Sequence, residues 1–171
     1  SDPGSALGEA RETLDARGMF VLPGAVDVHT HVRPAADDFP DRFFRDSVAA
    51  ACGGTTSYLA FAWQPLGGSL RATLSEFVAM TARDAAVDYG VSLIMTDASS
   101  AALAEIPRVI EAGVPTFKAF MVYDFRVSDA ALFDAMRHTH AAGGMMQVHC
   151  ENCAVIDFLV AENLGAGRIT P

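Results

Sequence analysis

No apolar stretch of this 171-residue chain approaches the ~18 residues that a membrane-spanning helix needs. The opening segment, Ser1 to Glu12, has no basic start and no apolar run, so nothing there reads as a secretory signal. Basic residues are scarce: 12 Lys+Arg stand against 21 Asp+Glu, a net charge of −9. With no Lys/Arg cluster, that balance argues against a nucleic-acid partner and against docking on an anionic membrane. Cysteine is rare as well. Cys52, Cys150 and Cys153 make an odd, sparse set that does not build a disulfide scaffold, and the expected location is cytoplasmic. A phosphate-cradling glycine loop is missing, because Gly53-Gly54 close a helical pattern and open a strand, the wrong order for phosphate capture. No Gly-x-Ser-x-Gly occurs, so a serine-hydrolase elbow is unsupported. Internal repeats and low-complexity linkers are also absent.

What remains is a chain that is 51% hydrophobic and 19% charged, with mean hydropathy +0.24. That is too apolar for a disordered segment and suits one packed domain. Short, β-branched, nearly continuous apolar runs fall at Val26–Val32, Thr55–Ala62, Val91–Thr96, Thr116–Met121 and Met145–His149. Such runs predict strands covered on both faces. Helical patterns lie between them. Leu70, Leu74, Phe77, Val78 and Thr81 recur at steps of three and four. So do Leu132, Ala135, Met136 and Thr139, behind an N-cap at Ser128. Val155, Ile156, Leu159 and Val160 predict one apolar helix face, and Pro107 is expected to open a short helix. Gly53-Gly54, Gly113, Gly143-Gly144 and Gly165 supply helix stops. Alternating strands and helices predict parallel βα units. Two architectures fit: an open doubly wound sheet, or part of a (β/α)8 barrel, which usually takes ~250 residues. Residues 1–24 read as an accessory lead-in, with strand-like pieces at Thr13–Asp15 and Met19–Leu22 around a turn at Arg17-Gly18.

The polar residues sit at the ends of strands, where parallel α/β folds build their sites. On a strand, Asp27, His29 and His31 share one face, and two imidazoles so spaced can hold one cation. The plainer alternative is a pair of strand-end histidines that only hydrogen-bond. Lys118 stands inside the apolar run Thr116–Met121. A buried ammonium is costly, so either the lysine snorkels to water, or its pKa is depressed, or it is modified. His149 closes another apolar strand. His138 and His140 lie two apart on a helix and read as a solvated face. Cys150-Glu151-Asn152-Cys153 is a C-x-x-C at a helix start, where a thiol pKa could drop. It admits a thiol redox role or, with His149, a structural zinc lacking a fourth ligand. Trp63–Gly68 reads as a flexible loop that could border a pocket.

Together these segments resemble the cyclic amidohydrolases. The resemblance runs from Gly18-Met19-Phe20-Val21-Leu22-Pro23-Gly24-Ala25-Val26-Asp27-Val28-His29-Thr30-His31 through Ala49–Thr56, Asp88-Tyr89-Gly90 and Phe117–Tyr123 to Val148–Asn152. The nearest group is the dihydropyrimidinases and D-hydantoinases, with allantoinase and dihydroorotase as relatives. The resemblance implies part of a TIM (β/α)8 barrel of the metal-dependent hydrolase type, about five βα units. Residues 25–171 would be the N-terminal part of that barrel, and residues 1–24 a remnant of a small β-sandwich. It implies two divalent metal ions, usually Zn2+, with His29 and His31 on the first and His149 on the second. Lys118, carrying a CO2-derived carbamate, would bridge them. Tyr123 would bind substrate and act in catalysis by stabilising the developing oxyanion. A metal-bridging hydroxide would then open a cyclic amide such as a hydantoin or dihydropyrimidine.

In that family a further histidine comes from the sixth strand and a catalytic aspartate from the eighth. Neither strand is expected here, so the chain reads as cut at both ends and inactive in isolation, with a tendency to associate. Ala60 also stands where hydantoinases commonly have an aspartate. A homo-oligomer is the expected assembly. The alternative function is a metal-free dihydropyrimidinase-related binding or assembly protein.

Overall fold

The computed structural model describes residues 11–34, 39–81 and 85–170. Ten elements alternate strictly: β1 (Ala25–Asp27), α1 (Arg42–Cys52), β2 (Thr55–Trp63), α2 (Leu70–Thr81), β3 (Asp88–Ile94), α3 (Ser100–Glu111), β4 (Thr116–Phe120), α4 (Asp129–Ala141), β5 (Met145–His149) and α5 (Cys153–Gly165). All neighbouring strands pair in parallel, in the order β1-β2-β3-β4-β5. Strand order following chain order decides between the two architectures. A doubly wound sheet must reverse direction at a switch point, whereas a barrel adds each strand beside the last. The chain is therefore five βα units of a partial TIM barrel.

The register fixes which side chains share a face. Phe61 pairs Ser92, Trp63 pairs Ile94, Ile94 pairs Lys118, Lys118 pairs Gln147 and Phe120 pairs His149. The other alternation, Tyr58, Ala60, Ala62, Val91, Leu93, Met95 and Phe117, packs against Phe43 of α1, Leu70 and Phe77 of α2, and Leu103, Ile106 and Val109 of α3. The helices thus cover one face only. The strands are not clad on both sides as their continuous hydrophobicity predicts; the second face is the one a closed barrel turns inward.

Helix starts follow local chemistry. Ser69, Ser99, Ser128 and Asn152 each accept a backbone N–H of the first turn, from Ala72, Ala102, Ala131 and Val155. Glu105 of α3 accepts from Ser69 Oγ and from the Arg71 N–H, tying α3 to the start of α2. Pro107 lies inside α3 rather than opening a helix. Its ring removes one hydrogen bond, and the burial of Leu103, Ile106 and Val109 holds the helix through that loss. At the end of α4, Gly143 takes φ +81° and Gly144 lies against the end of α3 and the start of β4. A Cβ on Gly144 would come within 2.7 Å of the Pro115 carbonyl oxygen and 2.8 Å of Ile110 Cδ1.

Three expectations fail at the periphery. β1 ends at Asp27, not Val32, because the His29 N–H turns back to Asp27 Oδ1 (3.0 Å). Neither Thr13–Asp15 nor Met19–Leu22 pairs as a strand, although Gly18 does turn, with the Met19 N–H on the Ala16 carbonyl at 3.0 Å. The first ten residues of that lead-in lie outside the described residues. No residue of α5 is buried; Phe158, Val160 and Leu164 are all exposed. Among the described residues no helix is long and apolar enough to cross a membrane.

Gly144→Ala should lower unfolding free energy by about 1–3 kcal/mol in a urea titration, because the clash is with backbone. Gly165→Ala, with nothing within 4 Å and no positive φ, should be neutral or stabilise by up to ~1 kcal/mol. Equal effects at the two positions would contradict this packing.

Candidate active site

The carboxyl ends of β1, β4 and β5 bring His29, His31, Lys118, His149 and Tyr123 to one end of the sheet. The His29 and His31 rings lie 5.6 Å apart, centroid to centroid, and both pack on Phe61 of β2, at 5.0 and 5.5 Å. Lys118 is only 5% exposed, on the open face of β4, with Nζ 5.3 Å from the centre of the Phe120 ring. Phe120 also stacks on His149 (5.5 Å), and Tyr123 lies 5.7 Å from the same imidazole. Phe61 and Phe120 are therefore the apolar walls between the polar groups.

Electrostatics link the set. Desolvation, then the positive charges of Lys118 and His31, hold the His29 imidazole below the ordinary 6.5, with His149 adding to them; Asp27 opposes this. Burial likewise holds Lys118 below the usual 10.5. Among the described residues its Nζ makes no hydrogen bond or ion pair, and the charge of Cys150 opposes the shift. Glu151 takes the His149 Nε2 in a short hydrogen bond.

Tyr123 is the sole non-glycine described residue with positive φ, +74°. Its carbonyl accepts from the Arg126 N–H (3.2 Å) and from Arg126 Nη1 (3.0 Å), which offsets the left-handed conformation. The loop after β2 is not flexible as expected. Gln64 is fully buried, and its Oε1 accepts from the Thr96 and Asp97 N–H groups (3.0 and 3.1 Å) while Nε2 donates to the Gly68 carbonyl (2.7 Å). That strap sets Trp63 and Pro65 along a cavity of about 520 Å3, which His31, Phe61 and Arg42 also line. The pocket expectation for this loop therefore holds.

The donor set suits divalent cations: imidazoles in a pair and a third apart from it, with a buried amine between. Among the described residues no three His, Cys, Asp or Glu side chains converge on a single point. His138 and His140 are exposed on α4, the former 3.9 Å from Asp134, as a solvated face requires.

No protein-family model matches the chain. Over 172 residues it is 34% identical to the D-hydantoinase of Ralstonia pickettii, spanning 98% of this chain and 38% of that protein. It is 37% identical to the D-hydantoinase of Streptomyces coelicolor, over 99% of this chain and 37% of the relative. The chain is a homologue of the hydantoinases. The solved structure of a D-hydantoinase superposes with a TM-score of 0.87 at 34% identity, covering 97% of this chain and 37% of that one. The dihydropyrimidinase from Brevibacillus agri NCHU1002 superposes at 0.78, also 34% identical, over 88% and 34%. This hydantoinase homologue spans a little over a third of the length of the curated relatives it matches.

Several site residues carry no sequence signal of their own. Gln64 looks like any polar residue in a Pro/Gly loop, and Phe61 and Phe120 look like ordinary strand aromatics. One signal was there to be read: Lys118 is the only lysine in the chain. A residue type used once, in an apolar strand, is not placed for solubility.

Two outcomes follow from this geometry. In chelator-treated buffer, Lys118→Met should stabilise the homologue below the lowered folded value, where the folded chain bears the cost of the buried ammonium. Between the lowered folded value and 10.5 the unfolded chain holds the proton and the folded chain does not, so wild-type stability rises with pH there. The advantage of the Met variant should therefore shrink toward pH 10.5, as read from paired urea melts; an unchanged advantage contradicts the buried-ammonium assignment. Gln64→Leu should cost about 1–3 kcal/mol by leaving the Thr96 and Asp97 donors unpaired.

Proposed function

We propose that this chain supplies part of a two-cation centre in a hydrolase that opens a cyclic amide, a hydantoin, dihydropyrimidine or similar ureide. His29 and His31 would hold one cation and His149 the other, with carbamylated Lys118 shared between them and zinc the preferred ion. One observation carries the reading. The single lysine of the chain is buried at the end of the sheet that carries the three strand-end imidazoles, and its charge acts on His29. A carbamate on Lys118 would supply the oxygen donors that an amine lacks. The relatives' names, D-hydantoinase and dihydropyrimidinase, support the substrate class.

The chemistry of the chain's own residues is consistent with this. With its pKa lowered, Lys118 is neutral more often than an exposed lysine, and neutral Nζ can attack CO2. A C–N bond forms, one C=O π pair moves to oxygen, and a proton leaves Nζ for solvent, giving an anionic carbamate. Bound cations would supply a water of lowered pKa and polarise the amide carbonyl. Glu151 must release His149 Nε2 before that nitrogen can serve as a ligand. Tyr123, fixed by Arg126, would present its hydroxyl to the oxygen that gains charge as the ring opens. Glu151, the carboxylate that meets a site histidine among the described residues, is taken up by His149 Nε2 rather than left free as a base, and the 171 residues alone are proposed to be inactive. The unpaired outer edges of β1 and β5, and the exposed apolar side chains of α5, support association of copies.

Because the chain has one lysine, ε-15N-lysine labelling gives one side-chain signal. With 13C-bicarbonate and Zn2+, a carbamate carbon coupled to that nitrogen should appear. His29→Ala/His31→Ala should weaken Zn2+ binding at least 100-fold in competition with a chromophoric chelator. A chain that binds no Zn2+ and shows no carbamate would overturn this reading and favour the metal-free binding protein.

A further inference from the structure

In the sheet register Lys118 sits between Ile94 of β3 and Gln147 of β5. Neighbouring parallel strands lie about 4.8 Å apart and in-register side chains point to one face. The lysine and the glutamine therefore stand side by side on the face that the helices leave open. Each carries an unpaired group. Lys118 Nζ makes no hydrogen bond among the described residues, and the buried Gln147 Oε1 has no partner there either. A buried amide oxygen without a donor is destabilising, so it calls for a reason.

The other neighbours of Lys118 are poorer acceptors. Ile94 has none to offer. The Thr116 hydroxyl, two residues earlier on β4, is turned to the Val91 carbonyl at 3.2 Å. Phe120 presents only its ring. Cys150, whose charge acts on Lys118, gives its thiol to the Val148 carbonyl at 3.7 Å, and thiol sulfur accepts weakly. Cys153 faces Asp157 instead (3.4 Å), and burial pushes its thiol up, so the C-x-x-C does not present an activated thiol pair.

The inference rests on the proposed carbamylation of Lys118. When neutral Nζ attacks CO2 it loses one proton to solvent and keeps one N–H. We propose that Gln147 is the positioning residue of the modified lysine, its Oε1 accepting that remaining N–H. One bond then pairs both unpaired groups. A carbamate is planar for the same reason as a peptide unit, and its N–H lies in the plane. Holding the N–H therefore stops rotation about the Cε–Nζ bond and fixes the plane of both oxygens. A neutral amide suits this task where a carboxylate does not, because a carboxylate would hold the lysine as its ammonium and repel the carbamate anion.

The test uses the whole chain labelled with ε-15N-lysine, which reports on Lys118 alone because the chain has no other lysine. 13C-bicarbonate is titrated at saturating Zn2+, and exchange of the carbamate Nζ–H with water is measured. Gln147→Met keeps the shape and removes the acceptor. It should raise the bicarbonate needed for half-carbamylation, and the Nζ–H exchange rate, each by about fivefold, the worth of one net hydrogen bond. Gln147→Glu should suppress the carbamate further, and Cys150→Ala should change neither quantity. Without bicarbonate, in chelator-treated buffer, Gln147→Met should unfold at higher urea than wild type, since the unpaired oxygen is gone; the same melt shows that the variant is folded. A carbamate that forms and exchanges alike in wild type and Gln147→Met would overturn this role while leaving carbamylation in place. So would a Met variant less stable than wild type without bicarbonate, because the oxygen would then have another partner. No carbamate in the wild-type chain would overturn both readings.

Discussion

Everything at the functional end of this molecule depends on parallel strands pairing in the order in which they are made. Each crossover then returns its helix to the same side, and one sheet face receives Phe43, Leu70, Phe77, Ile106 and Val109. The other face is left free of helices. The pairing of Ile94 with Lys118 and of Phe120 with His149 lays the chemically active side chains along that face. A sheet wound in both directions would have buried those positions under helices and put its site at a reversal of strand order instead.

A lysine on such a face creates a local problem that the surrounding residues hold in place. Desolvation disfavours the ammonium, and Phe120 offers only the weak attraction of its ring face. The same ring stacks on His149, and Phe61 spans His29 and His31. These aromatic walls keep water away from one side of each polar group, which is also what depresses the His29 proton affinity. Rigidity comes from two devices outside the polar set: the buried Gln64 amide that clamps the β2 and β3 loops, and the Arg126 bonds that keep Tyr123 in a left-handed conformation. Preorganisation of this kind is bought with local strain, and it is found where a fold positions chemistry.

What the sequence by itself determined was element type and the identity of the polar residues at strand ends. The runs containing Thr55–Ala62, Thr116–Met121 and Met145–His149 became β2, β4 and β5 to within a residue, because buried parallel strands need continuous apolar side chains. Ser69, Ser128 and Gly143 marked helix ends through hydrogen bonds and backbone freedom that act within a few residues. Tertiary structure alone decided the rest. Strand order chose the barrel over the doubly wound sheet, and one-sided helix packing left Lys118 on an open face. Long-range contacts buried Gln64 and kept Pro107 inside α3, and at the sheet edge Asp27 turned the chain before His29. Periodicity records how much of each side chain is buried; it does not record which distant residue buries it. The convergence of His29, Lys118 and His149 is a product of pairings between strands far apart in the chain.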